Sequence, residues 1–103
     1  MPRYPLTEII AQREFAFDAG GSVTKVTASV SRPARTPEGT YDDWYCSWLI
    51  EGPDRRREFC AVGVDGLQAL LLALSALRTD LEVIGGKGKL TFEGGDDLAI
   101  KLI

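Results

Sequence analysis

The side chains able to do chemistry in this sequence are few: Cys46 and Cys60, the aspartate pairs Asp42-Asp43 and Asp96-Asp97, and an aromatic cluster around Trp44 and Trp48. Histidine is absent altogether. That absence excludes Ser-His-Asp and Cys-His catalysis, most zinc sites, and the usual general base with a pKa near neutrality. Acid–base work would fall to the paired aspartates, yet each pair is adjacent in sequence within a turn, where Asp is favoured for its side-chain-to-backbone hydrogen bonds. A weak calcium site at Asp96-Asp97 with Glu93 lacks the loop length and ligand spacing of an EF-hand. Cys60 as a nucleophile needs a neighbouring positive charge such as Arg56 or Arg57 to lower its pKa. With no metal-ligand spacing, both cysteines read as small buried apolar groups, and the chain is read as a non-enzyme with no catalytic residue, metal or cofactor.

The run Gly85-Gly86-Lys87-Gly88-Lys89 resembles a phosphate loop only superficially. A phosphate cradle leads from a loop into a helix N-terminus, whereas this run follows a helix and precedes a strand, so it reads as a helix stop.

The whole chain has 103 residues and a formal net charge of -3. That length accommodates one helix-on-sheet core, and a single α+β domain over residues 1–103 is expected. Its acidity disfavours a phosphate backbone, so nucleic acid is not expected as a partner. Pro2, Pro5 and Glu8 interrupt any signal-peptide core, and the apolar stretch Leu67 to Leu77 is too short to span a bilayer. These features predict a cytoplasmic protein without membrane association.

The elements that must position these residues are legible from periodicity. Glu8 to Asp18 ends in Phe15 and Phe17 alternating with polar neighbours, and Val23 to Ser31 alternates Val26, Ala28 and Val30 against Lys25, Thr27 and Ser29. With Gly20-Gly21 between them, they form an antiparallel hairpin. Arg32 to Asp43 reads as a long exposed loop. Trp44 to Glu51 places Trp44, Cys46, Trp48 and Ile50 on one face and Tyr45, Ser47 and Leu49 on the other, and Arg56 to Val64 returns beside it.

Two registers of this second hairpin are open, because a one-residue slip swaps the faces of a whole strand. Trp48 opposite Phe59 separates the two thiols onto opposite faces and leaves Gly63 bare for a helix to approach. The other register sets Cys46 beside Cys60 but opposes Glu58 to Trp48. The first is preferred.

Asp65 is a good N-cap and Gln68 completes a capping box, so a helix is predicted from Gly66 to about Glu82, ending at Gly85-Gly86 with a residue at positive φ. Leu67, Leu70, Leu71, Leu74, Leu77 and Leu81 form the stripe expected to cover the sheet. Leu72 projects from the opposite, polar face. Either the segment Tyr4 to Ile10 folds over it, a second chain does, or it stands as a lone exposed leucine, which is common on protein surfaces. Lys89 to Glu93 and Leu98 to Leu102 close the fold, giving an antiparallel sheet of five to six strands with one long helix on one face, in the order ββββαβ(β).

The pattern Asp43-Trp44 through Trp48, followed by Gly63-Val64-Asp65-Gly66-Leu67-Gln68-Ala69-Leu70, resembles a family of short bacterial proteins of unknown function. The likeness extends from Arg13-Glu14-Phe15 to the final strands. It implies a bacterial source and a stand-alone domain, and carries no activity or catalytic residue.

The expected function is therefore non-enzymatic protein binding, as an immunity-like or inhibitor protein whose acidity complements a basic partner. The alternative is a homodimer, structural or with a pocket between sheet and helix for a small ligand. Candidate interface residues are Leu72, Tyr41, Tyr45, Arg55 and Arg56.

Overall fold

The computed structural model describes residues 4–37, 43–52 and 55–95. Its elements are β1 (Ile9–Ala19), β2 (Ser22–Ser31), β3 (Ala34–Arg35), β4 (Trp44–Glu51), β5 (Arg56–Gly63), α1 (Gly66–Gly85) and β6 (Lys89–Thr91). The α+β architecture expected from the sequence is the one found. The short β3 lies inside the stretch read as loop, pairing Ala34 with Tyr45 and Arg35 with Trp44. Tyr41 and the pairs' members Asp42, Asp96 and Asp97, like the stretch Leu98 to Leu102, lie outside the described residues.

β1 and β2 form a hairpin, turned by Gly20 and Gly21 at φ of 74° and 88°. Such left-handed conformations cost glycine nothing. β2 continues the sheet to β4 through Ala28↔Ile50 and Val30↔Trp48, while β6 pairs with β1 through Phe17↔Leu90. β5 runs the full length of β4, with Trp48 opposite Phe59 and Cys46 opposite Ala61, the register preferred from the sequence.

The core lies between the sheet and α1, where Phe15, Val26, Ala28, Val30, Cys46, Trp48 and Ile50 meet Ala69, Ala73, Leu77 and Leu81. The helix is turned from the expected phase. Ala69 and Ala73 face the sheet, Leu70 and Leu74 are half-buried, and Leu67 is 66% exposed. Leu71 is exposed as well. Close approach explains the rotation: a Cβ built on Gly63 would stand 2.7 Å from the Ala69 amide nitrogen. With two tryptophans on the sheet, small residues on the helix allow that separation, whereas a leucine row would hold the backbones apart.

The start of α1 follows the expected capping chemistry. Asp65 Oδ1 accepts from the Gln68 amide at 2.7 Å, and Gln68 Oε1 accepts from the Val64 amide at 2.7 Å. The end does not, for Gly86 has φ -73° and remains right-handed. The Gly86 amide instead donates to both Glu82 and Val83, and the Lys87 amide donates to Ile84. This tightened last turn satisfies the final carbonyls without a left-handed residue.

The second face of β4 is also covered. Tyr45, Ser47 and Leu49 are buried, together with Ser29 and Ser31 of β2. Beyond the Val30↔Trp48 pair the Ser31 hydroxyl takes over the ladder, accepting from the Ser47 amide at 3.0 Å and donating to the Ser47 carbonyl at 3.2 Å.

Candidate functional site

Among the described residues β5 is the end strand of the sheet. It occupies one edge of β4 throughout, so β2 and β3 share the other edge, and among the described residues β5 pairs with nothing else. An end strand presents a row of unpaired N–H and C=O groups, the usual template for adding another strand. Among the described residues the opposite end of the sheet is β6, three residues long.

The helix runs above that edge. Gln68, Leu72, Ala76 and Asp80 recur every four residues and share one side of α1. Their ends are fixed over β5. The Cβ built on Gly63 lies 3.0 Å from Gln68 Cβ, and Arg57 Nη2 lies 3.5 Å from Asp80 Oδ1. The stretch between carries Ala61 and Phe59 on β5 and Leu72 and Ala76 on α1. Leu72 is 46% exposed and Phe59 37% exposed, two apolar groups along the unpaired edge.

Asp80, which the sequence reading did not single out, holds this edge to the core. Its Oδ2 accepts from Trp48 Nε1–H at 2.9 Å while its Oδ1 faces Arg57. The Arg57 guanidinium also lies over the Phe59 ring, 5.4 Å from its centroid, and Phe59 packs on Trp48 with ring centroids 5.7 Å apart. A carboxylate four residues from Ala76 on the sheet-facing side of an apolar helix was the available signal. Arg56 belongs to the other face of β5, paired with Glu58 at 3.0 Å.

A cavity of about 280 Å³ opens where β5 begins. Phe17, Val26, Ile50 and Ile84 line its apolar part, and Arg55, Arg57 and Lys87 bring positive charge to it.

Of the candidate interface residues, Leu72, Arg55 and Arg56 are gathered along β5. Tyr45 is elsewhere. Its ring lies buried on the far face of β4, with Tyr4 packed 4.9 Å away and its hydroxyl donating to the Pro5 carbonyl at 2.8 Å. Burial, aided by Cys60, pushes the Tyr45 phenol above its ordinary pKa, with Arg32 pulling the other way. It therefore serves as packing rather than as an exposed anchor. The same contacts put the N-terminal segment beside Tyr45, so that Tyr4 and Pro5 do not lie over Leu72.

The cysteines stand on opposite faces, and both are free. Cys46 is fully buried, donates to the Ser31 carbonyl at 3.2 Å, and is pushed up to a pKa of about 11 by burial. Such a thiol is inert. Cys60, on β5, is half-buried. Among the described residues no group of His, Cys, Asp and Glu side chains is arranged to hold a metal ion, and no helix is long and apolar enough to cross a membrane.

A family model described as a domain of unknown function, DUF6968, matches residues 11–102. The chain belongs to the DUF6968 family. The match spans every strand that forms the β5 edge and the helix above it, so those features are built from the DUF6968 domain itself. Nothing among the curated proteins or the solved structures matches the chain.

Proposed function

We propose that this DUF6968 domain acts by binding protein rather than by catalysis, that it does so in the cytoplasm, and that it pairs with a second copy of itself through β5. The observation that carries the proposal is the β5 edge, unpaired among the described residues, with Leu72 and Phe59 exposed along it. Strand addition supplies backbone hydrogen bonds, and neighbouring apolar side chains supply the burial that stabilises them. A standard interface takes about 800 Å² from each partner, roughly an eighth of the 6435 Å² surface of the chain.

Self-complementarity favours a second copy as the occupant. A two-fold axis normal to the sheet and midway between the two copies' Cys60 would set Phe59 opposite the partner copy's Ala61, a large side chain over a small one, with every residue keeping its face. Arg56 and Arg57 would face the Val64 and Gly63 ends of the other copy, so the arginine clusters stay apart. The two helices would approach along their Leu72–Ala76 sides. An immunity-like or inhibitor role, with a basic protein as partner, gains less from this surface, because its carboxylates Glu58 and Asp80 are already paired with Arg56 and Arg57.

Light scattering coupled to size exclusion tests the pairing. A dimer is expected for the native chain and a folded monomer for Leu72→Asp, while mild oxidation should link the native dimer through Cys60 and fail with Cys60→Ser. A native chain that stays monomeric at high concentration, or a Leu72→Asp variant that still dimerises, overturns the reading.

A further inference from the structure

We infer that the cavity at the start of β5 binds a small amphipathic anion, a straight-chain carboxylate of about eight carbons. The tail is matched by the lining, since Phe17, Val26, Ile50 and Ile84 offer no charged group. Size follows from volume: a cavity of about 150 Å³ holds one benzene, so 280 Å³ takes roughly twice as many heavy atoms, about the number in octanoate.

The sign of the charge follows from the three cations. Arg55 and Lys87 have no ion-pair partner among the described residues, and both line the cavity. Arg57 is partly engaged by Asp80, but its Nε–H is buried without a hydrogen-bond acceptor. Buried donors are rarely left unpaired, and a carboxylate is the acceptor an arginine fork fits best. Apolar walls with convergent donors at one end are the usual form of a small-molecule site. The inference stands apart from self-pairing, because the cavity is built from one chain.

Backbone-amide NMR titration decides it, with octanoate compared against octylammonium, which has the same number of carbons and the opposite charge. Saturable shifts are expected with octanoate alone, confined to residues 17–19, 50–52 and 84–87. Arg55 and Lys87 are not needed for packing, so the folded double variant Arg55→Glu, Lys87→Glu should bind octanoate at least about tenfold more weakly, the lower end for losing charge-assisted hydrogen bonds. Equal binding of the two probes, shifts centred on Leu67 and Leu71, no saturation, or unchanged affinity in the double variant would each overturn the assignment. Repeating the titration in Leu72→Asp keeps the outcome independent of dimerisation.

Discussion

Trp48 donates its indole N–H to Asp80, a 2.9 Å hydrogen bond that ties the centre of the sheet to the second half of α1. The carboxylate is mostly buried, its side chain 19% exposed, so the bond acts in a region of low dielectric. Asp80→Ala should lower unfolding free energy by about 2–3 kcal/mol, since it removes a charge-assisted acceptor and leaves the indole donor unpaired. Asp80→Asn keeps an acceptor and should lose roughly half as much. The Arg57 pairing adds little, because that side chain is substantially exposed. Urea unfolding followed by tryptophan emission separates the two variants, and equal losses would mean that the indole bond is not the contributor.

Gly63 is where the helix backbone comes closest to the sheet. A methyl group there would meet the Ala69 amide nitrogen at 2.7 Å, and backbone cannot swing aside as a side chain does. Gly63→Ala should therefore cost about 1–3 kcal/mol, the usual range for overpacking. Ala69→Gly should not rescue it, because the obstructing atom is main chain. Full recovery in the double variant would show that the Ala69 side chain sets the spacing instead.

The strands and the register were legible because alternation in Trp44 to Ile50 and in Phe59 to Gly63 admits one arrangement with both tryptophans inside and Glu58 on the other face, where its side chain is 9% exposed and paired with Arg56. The cap at Asp65 was legible for a local reason, as its partner Gln68 is three residues away. The rotation of α1 was not. Leucines and alanines are both apolar, so periodicity cannot say which row faces inward until the bareness of Gly63 and the bulk of Trp44 are placed opposite it. The burial of Tyr45 was hidden for a similar reason, being produced by Tyr4 and Pro5, some forty residues away in sequence. The cavity joins β1, β2, β4, α1 and the approach to β5, and no single segment carries its pattern.

The reciprocal cap at the start of α1 predicts non-additive losses. Asp65→Ala should cost about 1 kcal/mol, within the range of roughly 0.5–2 found for N-caps. Gln68→Ala, which frees the Val64 amide, should cost less because that amide is open to water. The double variant should lose less than the sum, as each side chain orients the other. Thermal unfolding of the three proteins measures this directly. Strict additivity would indicate two independent hydrogen bonds.

Cys46 gives the fold an alkaline limit. Its thiol has a pKa of about 11 when folded against an ordinary 9.0, with desolvation as the main cause. Below pH 9 the thiol is protonated whether folded or not, and the contribution is complete. As pH rises toward 11 the unfolded thiol ionises first, so the unfolded chain binds fewer protons and stability falls, by at most about 2–3 kcal/mol over that window. Tyr45, also raised by burial, adds a loss of the same sign at its own higher range. The difference between the native chain and Cys46→Ala isolates the thiol: the variant starts less stable, yet declines less steeply from pH 9 to 11 in reducing buffer. Parallel declines would mean that Cys46 titrates in the folded protein as it does in water, which its full burial and its bond to the Ser31 carbonyl argue against.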